Sequence, residues 1–245
     1  KGGQNSGRTF VRRAGTERNA VGWWGMGVRW GRKIFHVFRI DPVLGFYRIY
    51  AFPVRPQRNE EFLPLDWNDA QQRAGGLVPR FVPRDDETWG NCEANRQEGE
   101  KYLRVVIEEA GDTRVIGEDL GTVPDYVRPS LRSLGIAGFK IPQWENYPDH
   151  RSIPGSEYER LSVATFATHD HKPIRALWEE IFASQAETSL PARHDLEKIA
   201  DFAGWKPSPN EQFEYAREFY PAIMEALFRC EAWIAVVMIT DLLLG

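Results

Sequence analysis

The sequence predicts an α/β fold of the barrel type, because three short apolar segments each end in a carboxylate. They cover residues 35–41, 115–118 and 163–170. Their β-branched and aromatic residues are typical of buried strands. A parallel barrel collects functional side chains from the carboxyl ends of several strands on one face. We therefore expect the three terminal acids, Asp41, Glu118 and Asp170, to build one site.

The beginning of the chain gives little local signal. Residues 1–33 are rich in Gly and Arg and show no sustained helical period before Trp23, so they are treated as poorly defined. A strand follows at 35–41, and a second apolar segment ends at Pro53. Since proline restricts the residue before it to extended geometry, Pro42 should hold Asp41 at the end of a strand.

Residues 54–92 are predicted to form a long irregular insertion above the barrel. This stretch combines several prolines with many acids and arginines. Loops of this length are usually functional lids or disordered segments. Four aromatic residues favour a packed lid: Phe62, Trp67, Phe81 and Trp89.

Helical and strand patterns alternate through the rest of the chain. The predicted strands cover residues 113–118, 138–141, 162–168 and 233–239, and the predicted helices cover 93–110, 125–134, 174–186, 196–202 and 213–227. Gly111, Gly135 and Gly204 should end helices. Pro221 should interrupt the last helix, and the continuous apolar run 233–239 is typical of a strand buried on both faces. Together with 35–41 the strands number five, whereas a complete barrel has eight.

Composition describes an ordinary globular chain. The 245 residues are 42% hydrophobic with a net charge of −4, which suits one large domain over residues 1–245. The sequence contains no basic cluster of the kind that binds nucleic acid. Its longest apolar run is too short to cross a bilayer. Cys92 and Cys230 have no metal-ligand spacing, so they are interpreted as reduced thiols of a cytoplasmic protein.

Three sequence blocks carry a resemblance to a known family. They are Arg39-Ile40-Asp41, Gly117-Glu118-Asp119-Leu120-Gly121 and Thr168-His169-Asp170. In this order they resemble the signature blocks of amylomaltases, the 4-α-glucanotransferases or disproportionating enzymes of glycoside hydrolase family 77. Further similar stretches are Leu44-Gly45-Phe46, Gly138-Phe139-Lys140 and Thr240-Asp241-Leu242-Leu243, so the resemblance covers most of residues 30–245.

The resemblance implies retaining transfer of α-1,4-glucan segments between malto-oligosaccharides, or glucans derived from starch or glycogen, through a covalent glycosyl-enzyme. Asp41 would be the nucleophile, Glu118 the acid/base and Asp170 the stabiliser of the transition state. Substrate binding would fall to Arg39, His169 and Asp119. No metal or other cofactor is implied. The five strands would be the last five of the barrel, and the chain alone is expected to be inactive.

This chemistry sets requirements for the two principal acids. Retention of configuration uses a nucleophilic carboxylate and a carboxylic acid about 5–5.5 Å apart. The acid must hold its proton near neutral pH, which requires burial or a neighbouring negative charge. Asp119 and Asp170 are predicted to supply that charge to Glu118. Arg39 lies on the same side of its strand as Asp41 and should keep Asp41 ionised.

Two other interpretations stay open. The first is a truncated or degenerate remnant that binds glucan without catalysis, because Ser6 stands where the family has Trp and Pro42 where it has His. The second is a metal-dependent barrel hydrolase, suggested by the ligand types in His169-Asp170-His171. The nine tryptophans also offer sugar-stacking surfaces, but the sequence singles out none of them.

Overall fold

The computed structural model describes residues 17–51, 59–62, 64–76, 80–183, 190–206 and 215–244. The chain divides into two compact units, Lys1–Ile136 and Ala137–Gly245. Parallel strands and helices occur in both, as an α/β fold requires.

The first unit contains a parallel and an antiparallel strand pair. Its elements are α1 (Glu17–Gly31), β1 (Val37–Ile40), β2 (Ile49–Ala51), α2 (Asn59–Phe62), α3 (Trp67–Arg73), β3 (Arg80–Val82), α4 (Trp89–Ala110), β4 (Arg114–Gly117) and α5 (Val127–Ser133). β1 pairs with β4 in parallel, and β2 pairs with β3 antiparallel. A 3₁₀ turn at Val43–Phe46 separates β1 from β2.

The core of this unit forms where the 3₁₀ turn, α4 and α5 meet. Tyr47 is fully buried, and a Cβ added at Gly99 of α4 would lie 2.3 Å from its ring. Only a glycine therefore lets α4 pack at this distance. The Tyr47 hydroxyl donates to Ser130 (2.9 Å), which in turn donates to Glu100 (2.8 Å). Burial raises the pKa of Tyr47 to about 12, so the phenol stays a donor.

The helix α1 corrects the interpretation of residues 1–33 as poorly defined. It packs against the end of α4, where Arg29 forms an ion pair with Glu109 (3.2 Å) and Arg32 donates to the Glu109 carbonyl (3.0 Å). Contacts with α4 contribute to the stability of this helix. Residues 1–16, with Ser6, lie outside the described part of the chain.

The predicted insertion 54–92 has more regular structure than expected. It contains α2, α3, β3 and the first turn of α4, which begins four residues before the predicted helix start. Phe81 packs edge-on against Tyr50 across the β2–β3 ladder, with the Arg48 guanidinium over its ring. Trp67 and Trp89 are 57% and 82% exposed, so the expectation that they pack into a lid is wrong for these two side chains.

The second unit is built on a parallel three-stranded sheet with the order β5-β6-β7. Its elements are β5 (Gly138–Lys140), β6 (Ser162–Ala164), α6 (Ile174–Ala183), α7 (Leu190–Phe202), α8 (Tyr220–Phe228), β7 (Ile234–Ala235) and α9 (Ile239–Leu244). Helices α6, α7 and α8 supply most of the core. Its fully buried members include Ile174, Ile199, Phe219, Ile223 and Leu227.

The predicted strand 233–239 is corrected by the structure. β7 covers two residues, the flanking Trp233 and Val236 are exposed, and Ile239 already begins α9. The chain turns into α9 at a point where this helix packs against the start of α6. It buries the Asp241 carboxylate, which accepts a hydrogen bond from the Ile174 amide at the start of α6 (2.8 Å).

The remaining helices follow the prediction with shifted ends. α7 begins six residues before the predicted 196–202, and a π-helical turn at Tyr215–Phe219 precedes α8. Pro221 lies in the first turn of α8, where its missing amide breaks no helical hydrogen bond. The predicted helical positions 184–186 and 213–214 fall outside the described residues.

Three glycines end helices as expected. Gly111, Gly135 and Gly204 have φ values of 60°, 71° and 63°, a region that strains residues with a Cβ. Within the described ranges, no helix has the length and apolar character needed to cross a bilayer.

Candidate active site

Asp41 and Glu118 follow directly on the two neighbouring parallel strands of the first unit. Ile40 of β1 is the register partner of Gly117 of β4. The Glu118 amide donates to the Ile40 carbonyl (2.8 Å), and the Val43 amide donates to the Glu118 carbonyl (2.9 Å). The fold therefore brings these two distant acids side by side at the carboxyl ends of their strands, as the strand-tip pattern predicted.

Gly117 makes this close approach of the two strand ends possible. A Cβ at this position would lie 3.1 Å from the Val43 side chain and 3.2 Å from that of Ile136. Val43 is fully buried, so it has little room to withdraw. The glycine before Glu118 thus allows the chain after Asp41 to turn tightly over β4.

Arg39 pairs with Asp41 across one intervening residue. Its Nη2 lies 3.0 Å from Asp41 Oδ2, and both side chains are about one-third exposed. Residues two apart in a strand project to the same face, which explains the contact. The predicted proximity of this guanidinium to the Asp41 carboxylate is confirmed.

Glu118 is half-buried, and its pKa is raised above the ordinary value of 4.5. Burial is the largest cause, and the negative charge of Asp41 comes second. A hydrogen bond from the Leu120 amide (3.2 Å) and the Arg39 charge oppose the shift. Asp119 adds only a minor contribution. The shift expected of a general acid is present, but its main causes are burial and Asp41, where the sequence pointed to Asp119 and Asp170.

Asp119 lies in the interior of the first unit. It is 2% exposed, and its Oδ2 lies 3.1 Å from Nε of Arg128 on α5. Sequence reasoning missed Arg128, although a basic residue in the helix after the acidic tip is a recognisable signal. The pair ties the loop after β4 to α5. Its role in substrate binding stays a prediction.

In the second unit His169 and Asp170 lie in a turn after β6. Their side chains are 65% and 64% exposed, and His169 Nε2 lies 3.5 Å from Asp170 Oδ1. The His171 amide donates to the Thr168 carbonyl (3.0 Å) and closes the turn. The turn presents the Asp170 carboxylate to solvent from the carboxyl end of β6, the position predicted for it.

Sequence reasoning also missed residues that follow β5. The Trp144 ring lies 5.0 Å from the His171 ring, and Gln143 Nε2 donates to the Phe166 carbonyl (2.6 Å). These contacts join the loop after β5 to the loop after β6. No spacing rule separates Trp144 from the other tryptophans in the sequence, so only the fold identifies it.

The described residues contain no group of three or more His, Cys, Asp or Glu side chains arranged to hold a metal ion. His169 and Asp170 therefore belong to no such group in that part of the chain. What the described residues do offer is a pair of adjacent carboxylates in unlike environments. Asp41 is ion-paired, whereas burial holds Glu118 toward its protonated form.

The chain is similar in sequence to known 4-alpha-glucanotransferases. The 4-alpha-glucanotransferase of Chlamydia pneumoniae is 29% identical over 158 residues, which are 64% of this chain and 25% of that protein. The Chlamydia muridarum enzyme of the same name is 25% identical over 218 residues, 88% of this chain and 34% of that protein. The chain thus spans about a quarter to a third of the length of these relatives.

A solved structure shows the same fold. Amylomaltase from Streptococcus agalactiae, in complex with acarbose, matches with a TM-score of 0.56 at 19% identity and covers 90% of this chain and 35% of that one. The family model described as 4-alpha-glucanotransferase, glycoside hydrolase family 77, matches residues 1–245. A match over the whole chain, together with these relatives, shows that the chain belongs to the 4-alpha-glucanotransferase family.

Proposed function

We propose that this chain carries the catalytic acids of a retaining 4-α-glucanotransferase. It would transfer α-1,4-glucan segments between malto-oligosaccharides, or glucans derived from starch or glycogen. The observation that supports this most directly is the Asp41–Glu118 pair at two adjacent strand ends. One member is paired with Arg39, and the pKa of the other is raised by burial and by its neighbour. A nucleophile and a proton donor differ in this way.

The roles follow from the ion pair of Asp41 with Arg39 and from the raised pKa of Glu118. Ionised Asp41 attacks the anomeric carbon of the donor glucan, while protonated Glu118 gives its proton to the departing glycosidic oxygen. The first product leaves with a free 4-hydroxyl. Glu118, now ionised, then takes the proton from the 4-hydroxyl of an acceptor glucan as that oxygen displaces Asp41. Two inversions at the anomeric carbon leave its configuration unchanged.

Asp170 is assigned to stabilise the positive charge that develops on the sugar, and Arg39, His169 and Asp119 to bind substrate. These roles are carried over from the family resemblance. A relative of this fold was solved with acarbose bound, which supports an oligosaccharide ligand. We further propose that the five parallel strands β1, β4, β5, β6 and β7 contribute to one (β/α)8 barrel, as part of a single catalytic domain that includes 1–245, in a cytoplasmic enzyme.

Incubation of the full-length enzyme with maltotriose tests the proposal. Transfer predicts free glucose together with maltopentaose and longer glucans, formed without added metal. Products that are all shorter than maltotriose would identify a hydrolase instead, and loss of turnover on chelation would favour the metal-dependent hydrolase.

A non-catalytic glucan-binding remnant is the second candidate. Pro42, which follows Asp41 directly where the family has histidine, favours it. This candidate predicts that maltotriose binds, as measured by calorimetry, while no product forms over days. Turnover that is lost in Asp41→Asn would exclude it.

A further inference from the structure

The turn from Thr168 to His171 determines where the Asp170 carboxylate points. Two hydrogen bonds shape it: the His171 amide donates to the Thr168 carbonyl (3.0 Å), and the Asp170 amide donates to Thr168 Oγ1 (3.4 Å). The Asp170 side chain is 64% exposed, so packing contributes little to its position. Its orientation therefore depends on whatever keeps the turn closed.

The His171 ring folds back onto the start of the same turn. Its Nδ1 lies 3.2 Å from the Thr168 amide nitrogen and 2.8 Å from Thr168 Oγ1. A backbone amide only donates, so Nδ1 is the acceptor and the ring proton is on Nε2. The Thr168 hydroxyl then donates to Nδ1 and accepts from the Asp170 amide. Nδ1 of His171 thus accepts from both the amide and the hydroxyl of Thr168.

The His171 ring also has an aromatic neighbour within the second unit. The Trp144 ring lies 5.0 Å away at a 57° tilt. The half-buried His171 ring beside Trp144 is more constrained than the exposed His169.

We propose that His171 is a positioning residue that holds the Asp170 turn closed through its Nδ1 acceptor. The proposal rests on the catalytic role proposed for Asp170. His171 does not touch the substrate; it fixes the backbone from which Asp170 extends. The expected consequence of losing it is a slower chemical step with substrate binding largely retained, because a small misplacement of a catalytic group lowers the rate more than the affinity.

Two variants separate the acceptor from the ring. His171→Phe keeps an aromatic ring against Trp144 but leaves the Thr168 amide without its acceptor. His171→Asn loses the ring but places Oδ1 close to the position of Nδ1. In the full-length enzyme we expect His171→Phe to lower kcat about tenfold with KM within about twofold, and His171→Asn to retain kcat within about threefold. The opposite order would overturn the proposal and assign the effect to ring packing.

A double-mutant cycle shows whether His171 acts through Asp170. In an Asp170→Asn background, His171→Phe should cause little further loss of kcat. An undiminished tenfold loss in that background would reject the proposal, since it would show an effect independent of Asp170. Thermal melting of all four proteins identifies any general loss of fold. If Asp170→Asn itself keeps full activity, the proposed role of Asp170 fails. If Asp170→Asn is inactive and His171→Phe is not impaired, only the inference about His171 fails.

Discussion

Asp41 and Glu118 lie at the same level of two parallel strands, and the Glu118 amide donates to the carbonyl of the residue before Asp41 (2.8 Å). Because the backbone ladder fixes this neighbourhood, the Asp41 charge acts on the Glu118 carboxyl group in the folded chain. The Asp41 charge raises the pKa of Glu118, and Arg39 opposes that influence while it pairs with Asp41. Three predictions concern this pair of acids and the buried Asp119, which follows Glu118 in the chain.

The first prediction separates the two carboxyl roles with an activated donor. Glu118→Gln should lower kcat on maltotriose by about three to five orders of magnitude, because a glutamine has no proton for the leaving oxygen. With α-maltosyl fluoride, whose leaving group needs little protonation, Glu118→Gln should still form the glycosyl-enzyme in a measurable burst. Asp41→Asn should form none with either donor.

Intact-protein mass spectrometry measures the burst as added mass on the enzyme. A burst in Asp41→Asn and its absence in Glu118→Gln would reverse the assignment. Near-native turnover of maltotriose by Glu118→Gln would remove Glu118 from the mechanism altogether.

The second prediction concerns stability against pH. The folded-state pKa of Glu118 lies above the ordinary 4.5, so folding favours the protonated form. The stabilisation is complete below pH 4.5 and is lost as the pH rises through the raised pKa. Glu118→Gln is neutral at every pH. The melting temperature of Glu118→Gln minus that of wild type should therefore increase as the pH rises from 4.5 through the raised pKa of Glu118. Above that pKa the difference should stay constant.

Asp41→Asn supplies the matched background for the melting experiment. Without the Asp41 charge, the pKa of Glu118 should be closer to its ordinary value, because that charge is the second cause of the shift. The pH-dependent gap caused by Glu118→Gln should then be smaller but still present, since burial remains. Parallel melting curves for wild type and Glu118→Gln from pH 4 to 8 would contradict a raised pKa.

The third prediction concerns the buried Asp119 carboxylate. Arg128→Met removes a guanidinium that contacts it at 3.1 Å, and a buried charge that loses a partner destabilises the fold. Arg128 is itself partly exposed, so we expect a loss of about 1–3 kcal/mol in the free energy of unfolding, measured by urea denaturation. The exposed pair of Arg229 with Glu225 on α8 provides the control. Arg229→Met should change the unfolding free energy by less than about 0.5 kcal/mol.

The same variants test the predicted contact of Asp119 with substrate. If Asp119 binds glucan directly, Asp119→Asn should raise KM more than Arg128→Met does at comparable stability. Equal KM values in the two variants would restrict Asp119 to a structural role. Equal destabilisation by Arg128→Met and Arg229→Met would show that the Arg128 pair does not stabilise the loop after β4.

Several features were readable from the sequence because short-range rules decide them. Apolar runs that end in Asp41 and Glu118 mark strand tips through side-chain type alone. Gly111, Gly135 and Gly204 mark helix ends because only glycine adopts positive φ without strain. The family followed from three short blocks in a fixed order.

The tertiary structure decided what depends on contacts between distant segments. The register that sets Ile40 opposite Gly117 places Asp41 beside Glu118, and the burial of Glu118 by surrounding segments dominates its pKa. No local pattern contains either fact. For the same reason residues 239–244 were not recognised as a helix. Burial of Asp241 against the start of α6 outweighs the strand preference of the apolar run before it.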